Sequence, residues 1–279
     1  MKILIFVSSH NKSKPAVLFG GLLAKKTNAS ITLLTVIDEP HVLDTAHQTL
    51  EKARKWIPDL NATTAVRINT DVNGILTEID SGEYDLLIIR ARQATQLKDF
   101  LRTKIGRRAA RQSPISVLVI KQEHTELNRI LICTSGVDLA NPVIEKSVWL
   151  AKSSQAKVTL LHVAGSVPSM YTGLDKIEEQ LHEILETDTP MAQHLRHAVN
   201  MLVNENINAE LKLRHGSVPD EILHEARSGN YNLIVLGASK AFVEFAGWLL
   251  GNVAQQIVDQ ADCPVLVVRQ ATLNPETKD

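Results

Sequence analysis

The feature that most constrains this chain is that its apolar runs occur twice, in the same order. "ITLLTV" (Ile31 to Val36) returns as "VTLLHV" (Val158 to Val163), at an offset of 158 − 31 = 127. "YDLLII" (Tyr84 to Ile89) returns as "YNLIVL" (Tyr231 to Leu236), at 231 − 84 = 147. "SVLVIK" (Ser116 to Lys121) returns as "PVLVVR" (Pro264 to Arg269), at 264 − 116 = 148. A repeat of this length is a duplicated domain, not a solenoid unit. The rise in offset, 147 − 127 = 20, places about 20 extra residues between the second and third strands of the second repeat. The polar stretch "QEHTELN" (Gln122 to Asn128) falls between the repeats and is expected to link them. The expected domains are residues 1–124 and 125–279.

Within each repeat, short apolar runs alternate with helical patterns. The expected strands are "KILIFV", "SITLLTV", "TAVRI", "DLLIIR" and "SVLVIK", then "RILICT", "KVTLLHV", "AELKLRH", "NLIVLG" and "PVLVVR". Most of these runs are continuously apolar and rich in Val, Ile and Leu, as parallel strands covered on both faces are. Segments such as "PAVLFGGLLAKKTN" and "NPVIEKSVWLAKSSQ" carry apolar residues at helical spacing. Strand and helix in alternation give an α/β fold with two tandem doubly wound domains, each a five-stranded parallel sheet flanked by helices. The last strands, "VLVIK" and "VLVVR", would be exposed apolar sheet edges unless paired, so the two domains are expected to pair through them.

Composition narrows the function classes. Lys and Arg number 30 against 31 Asp and Glu, so no global charge draws the chain to nucleic acid or membrane. Two cysteines, Cys133 and Cys263, sit inside apolar runs without framework spacing, which suggests a reducing compartment. The apolar run in "MKILIFVSSH" is shorter than a signal peptide's, and no run is long enough to cross a bilayer. A cytoplasmic location is expected.

The second repeat resembles the universal stress protein family over its whole length. The matching stretches are "RILICTSG", "VTLLHV", "RHGSVPDEILHEA" and "NLIVLGAS … GNVAQQIVDQADCPVLVV". The first repeat matches more weakly, in the same order. The resemblance implies an adenine nucleotide alpha hydrolase-like fold and, in nucleotide-binding members, a loop after the fourth strand of pattern Gly, two residues, Gly, nine residues, Gly and Ser or Thr. Such glycines let backbone N–H groups approach phosphates, and the following helix offers its N-terminus to negative charge. Here Gly237 matches the first glycine, Lys240 stands in place of the second, and Gly251 follows after ten residues, with Asn252 in place of the hydroxyl residue. The family's Asp at the end of the first strand is replaced by Ser8 and Ser135. Two readings stay open: a turn and a helix start, or a weakened site for ATP or another adenine nucleotide. In the second, Ser135 and Gly136 would lie near the nucleoside, His162 and Val163 against the adenine, and Gly237, Lys240, Gly251 and Asn252 near the phosphates. In the first repeat Arg90, Gln93 and Thr103 occupy the glycine positions and Lys104 follows. No family-type ATP site is expected there.

Other constellations carry less. Arg90, Arg92, Lys98, Arg102, Lys104, Arg107, Arg108 and Arg111 form a basic stretch with Asp99 as its one acid, a solvated face or a patch for an acidic ligand. Phe242, Phe245 and Trp248 make the second repeat's loop unusually apolar, either a packed lid or a partner surface. His182, His194 and His197 have no Cys or acidic companion at metal spacing and are expected on the surface, with no metal. No nucleophile or paired acid and base is visible, so slow ATP hydrolysis is the one enzymatic reading. The expected function is a stress-response binding protein with at most a weak adenine-nucleotide site in its second domain. The alternative is a scaffold for an apolar ligand or acidic protein partner. A homodimer is possible beyond the intrachain pairing, and neither nucleic acid nor membrane is expected as a partner.

Overall fold

The computed structural model describes residues 1–8, 12–69, 71–91, 112–135, 141–164, 177–238 and 252–269. The first repeat runs β1 (Lys2–Phe6), α1 (Lys14–Thr27), β2 (Ser30–Ile37), α2 (Leu43–Arg54), β3 (Ala62–Ile68), α3 (Asp71–Ser81), β4 (Leu86–Arg90) and β5 (Ser116–Ile120). The second runs β6 (Arg129–Thr134), α4 (Asn141–Ser154), β7 (Lys157–Ala164), α5 (Ile177–Glu186), α6 (Pro190–Asn204), β8 (Ala209–His215), α7 (Val218–Ser228), β9 (Leu233–Gly237), α8 (Asn252–Gln260) and β10 (Val265–Val268). The extra residues of the second repeat thus hold a pair of helices, α5 and α6, where the first has α2.

The strands form one ten-stranded sheet in the order β3-β2-β1-β4-β5-β10-β9-β6-β7-β8. Each half is a five-stranded parallel sheet, and the halves meet where β5 and β10 run antiparallel, with Leu118 opposite Leu266. The two apolar edges expected from the sequence have become the centre of one sheet. Their backbone groups are paired and their side chains are buried, which removes the aggregation hazard of a bare edge.

Alternation along the strands divides the core into two layers. One layer holds Ile3, Ile5, Ile130, Ile132, Val158 and Leu160, packed under α1, α2, α4 and α6. The other holds Leu4, Leu34, Leu131 and Leu161 with the apolar faces of α3, α7 and α8. Both layers run through both repeats, and α1 packs directly against α4 across the pseudo-dyad. Leu86 to Ile89 are each at most 2% exposed, which explains a continuously apolar β4. Each such side chain contributes about 1.5–3 kcal/mol by leaving water.

Local signals set the helix ends. Thr189 caps α6 by accepting from the Ala192 N–H at 3.3 Å, and Pro190 follows it in the first turn. The chain turns from α1 to β2 at Asn28 and from α4 to β7 at Gln155, equivalent positions (155 − 28 = 127) that share left-handed φ values of 51° and 56°. The linker is tied to the second repeat. Gln122 Nε2 donates to the Asp262 carbonyl at 3.1 Å, and Leu127 is buried within an otherwise polar stretch. Lys121, at the end of β5, donates to the carbonyls of Asp259 and Ala261 at the C-terminus of α8, both at 2.7 Å. A lysine of the first repeat therefore closes a helix of the second. Among the described residues no helix is long and apolar enough to cross a membrane.

Candidate functional site

In an open parallel sheet the ligand crevice lies beyond the carboxyl ends of the strands. In the second repeat β6 lies between β7 and β9, so Thr134 and Ser135, His162 and Val163, and Gly237 end side by side. Ser135 is exposed at this rim, and Val163 is half-buried. Gly237 lies under the first turn of α4: a β-carbon there would come 3.1 Å from Val143 Cγ2. A larger side chain would push α4 or enter the cleft. Asn252 opens α8 and is exposed.

Gly136, Lys240 and Gly251 lie outside the described residues. So do the apolar Phe242, Phe245 and Trp248 and the basic Arg92, Arg102, Lys104, Arg107, Arg108 and Arg111. Of the basic stretch, Arg90 is described. It ends β4 half-buried, in register with Ile120.

Beneath the rim lies a polar cluster not anticipated from sequence. Thr134 pairs with His162 in register, and both point to the face covered by α4 and α6. His162 Nδ1 lies 3.1 Å from the Thr134 carbonyl. A carbonyl can only accept, so Nδ1 carries the proton and a neutral His162 keeps Nε2 as an acceptor. Burial is the main influence on this imidazole and holds it below the ordinary histidine range; the Thr134 carbonyl opposes the shift, and neighbouring His215 adds to it. Thr134 Oγ1 lies 2.7 Å from His194 Nε2. His194 is 2% exposed, which corrects the expectation of a surface histidine. It sits on the inward face of α6, beside Leu195 and Ala198, because the added helix pair is folded onto the sheet. His182 and His197 are exposed. Among the described residues no group of three or more His, Cys, Asp or Glu is disposed to hold a metal.

The corresponding place in the first repeat is built differently. Subtracting 127 maps Thr134 to Val7, His162 to Thr35 and Ser135 to Ser8. Thr35 Oγ1 donates to the Val7 carbonyl at 2.9 Å, the bond that His162 makes in the second repeat. Ser8 is engaged locally. Its N–H donates to Ser13 Oγ at 2.9 Å, and the two hydroxyls are 3.2 Å apart. The counterpart of Ser13 is Ala140 (13 + 127 = 140), which has no hydroxyl to offer Ser135. Arg90 takes the place of Gly237 (237 − 147 = 90).

On the opposite face the repeats agree. Glu225 of α7 is 1% exposed. It accepts from Lys212 Nζ at 3.0 Å, from Tyr231 OH at 2.9 Å and from Arg214 Nε at 3.1 Å. Glu78 of α3 is 5% exposed and accepts from Arg67 Nε and Tyr84 OH, both at 2.6 Å. Glu, Arg and Tyr each recur at an offset of 147. Burial opposes ionisation of Glu225, but its three donors outweigh that and hold its carboxyl below the ordinary range. Burial and Glu78 push Tyr84 up to about 12. These networks lie below the sheet and close around their own donors, so they brace the fold. Burial likewise pushes the Cys133 thiol up and carries Cys263 to about 12, so neither is poised as a nucleophile.

Fold and cleft together define a two-domain α/β protein with unequal halves. The model of the universal stress protein family matches residues 1–121 and again 126–269, and the chain belongs to that family, carrying two of its domains in one polypeptide. Universal stress protein YxiE of Bacillus subtilis (strain 168) is 28% identical over 147 residues, covering 51% of this chain and 99% of its own length. Universal stress protein E of Escherichia coli (strain K12) is 23% identical over 224 residues, 75% of this chain and 70% of that one. The crystal structure of a universal stress protein from Archaeoglobus fulgidus DSM 4304 superposes with a TM-score of 0.70 at 16% identity, covering 96% of both chains. That likeness concerns the fold, including the arrangement of both halves.

Proposed function

We propose that this chain is a cytoplasmic stress-response binding protein whose second domain holds an adenine nucleotide weakly and whose first domain holds none. The domains divide at residues 124 and 125, within the linker. The observation that carries the reading is the inequality of two equivalent strand-end clefts. Gly237 leaves the end of β9 without a side chain, Ser135 is exposed beside it, and Thr134 and His162 supply polar groups beneath. In the first domain Arg90 fills the glycine's place and Ser8 is closed onto Ser13. Backbone close to a ligand and polar groups converging on one apolar cleft are what a small-molecule site requires.

Equilibrium dialysis of the full chain against ATP and AMP tests this. One equivalent per chain is expected, and Gly237→Val should weaken binding about tenfold, since its side chain occupies the approach beside Val143. No binding of either nucleotide at millimolar concentration would overturn the reading in favour of a scaffold.

A further inference from the structure

We propose that His215, with His162 beside it, recognises the nucleoside end of the ligand, so that the second-domain cleft favours a nucleoside or nucleoside monophosphate over the triphosphate. The proposal rests on the nucleotide reading above and names the ligand class that the same cleft selects.

His215 ends β8, where its neighbour in register is Ala164, two residues beyond His162 on the same face of β7. The two imidazoles therefore stand on adjacent strands at the same end of the sheet. Both ring nitrogens of His215 are shielded from solvent, and neither has a hydrogen-bond partner among the described residues. Buried polar groups in proteins are nearly always paired, and an exception calls for an explanation, of which a bound group is one. The backbone holds His215 in place. Gly216, which follows it, has φ +147°, a conformation that side chains rarely adopt, and its N–H donates to the Ala164 carbonyl at 3.1 Å.

The chemistry of the pair indicates what it takes. Neutral His162, with Nδ1–H on the Thr134 carbonyl, leaves Nε2 as an acceptor. The His215 ring brings two further nitrogens to the same end of the sheet. Burial and the neighbouring His215 disfavour charge on His162. Uncharged donors and acceptors match a heterocycle edge or sugar hydroxyls, whereas a phosphate calls for cations or a fan of backbone N–H groups. The fan of N–H groups is weakened in this chain's sequence, with Lys240 at a glycine position and a loop one residue longer than the family spacing. The first domain supports the assignment by contrast. The equivalent of His215 is Ile68 (215 − 147 = 68), which is 52% exposed, and the equivalent of His162 is Thr35. Both imidazoles are additions confined to the half that keeps Gly237.

Calorimetric titration of the full chain with adenosine, AMP and ATP tests the proposal. Adenosine and AMP are expected to bind within about threefold of each other, with ATP no tighter, and His215→Val should weaken all three about tenfold or more. His215→Asn, which keeps a donor and an acceptor, should retain most of the affinity. ATP binding at least about tenfold tighter than adenosine would overturn the selectivity. Unchanged adenosine affinity in a folded His215→Val protein would overturn the role of His215 while leaving the nucleotide reading standing. Failure of the wild-type chain to bind any of the three would overturn both. Should His215→Val not fold, the ring ¹⁵N resonances of His215 in the wild-type chain decide: a shift on adding adenosine supports the contact, and none contradicts it.

Discussion

The two halves of this chain share a framework and differ in a cleft. On one face of the sheet each half buries a glutamate against an arginine and a tyrosine, at the same offset of 147. On the other face, at the carboxyl ends of the strands, one half has Val7, Thr35 and Ile68 where its counterpart has Thr134, His162 and His215. Bracing chemistry is needed wherever the fold is built, so it occurs twice. On the proposed reading ligand chemistry is needed once; in the other half Arg90 stands where the glycine would be, and Ser8 is hydrogen-bonded to Ser13. The sheet joins the halves through β5 and β10, so the half lacking the cleft still covers the edge of the other.

The largest expected effect tests whether the shared framework is truly equivalent. Glu225→Ala removes the shared acceptor of Arg214, Lys212 and Tyr231, leaving them Glu221, Glu210 and Thr159, and should cost about 3 kcal/mol in urea unfolding, the lower end of the range for breaking a buried ion pair. Glu78→Ala should cost less, because Arg67 is 40% exposed and water can take over its hydrogen bonds. Equal costs would show that exposure of the partner does not set the difference.

A smaller effect probes the joint between the halves. Lys121→Met leaves two carbonyls at the end of α8 without that donor, and should cost about 1–3 kcal/mol. Amide hydrogen exchange should quicken in α8 of the second half although the change lies in the first. No change in α8 would contradict coupling through this lysine.

Smaller again is a pH effect. The Glu225 carboxyl is held below its ordinary value in the folded chain, so its stabilisation is complete above the unfolded glutamate range, about 4.3, and fades as pH falls through its own lower value. Glu225→Gln should therefore flatten the loss of stability on acidification below about pH 4.3 in chemical unfolding curves. An unaltered acid slope would show that this carboxyl is not depressed. The smallest effect is expected from Arg90→Gly, which restores one glycine in a half lacking the other polar groups. Dialysis should show no second equivalent of nucleotide.

Much of this fold was legible in the sequence. Buried parallel strands must be apolar throughout, so each β-strand announced itself, and the duplicated runs revealed the pairing partner for β5. The braces were legible in principle, since Glu78, Tyr84 and Arg67 recur at the offset of the strands, but a comparison confined to apolar runs passes over them. The cleft was harder. Ser135, His162 and Gly237 could be singled out because they match a known motif, and the structure sets them at the ends of adjacent strands. His194 was misplaced because its burial depends on how α6 packs against a strand 60 residues away. Local spacing on a helix does not say which face a distant strand will cover. His215 had the weakest signal, a polar residue just before a glycine, and needed the register of β7 and β8 to bring it beside His162.

The claim at the centre is that equivalent clefts in one sheet are unequal in binding. Equilibrium dialysis of the intact chain with labelled AMP measures this most directly, carried out on wild type, Gly237→Val and Arg90→Glu in parallel. The account predicts one equivalent per chain, weakened by the change at Gly237 and indifferent to the change at Arg90. Two equivalents, or one lost through Arg90→Glu and kept through Gly237→Val, would contradict it.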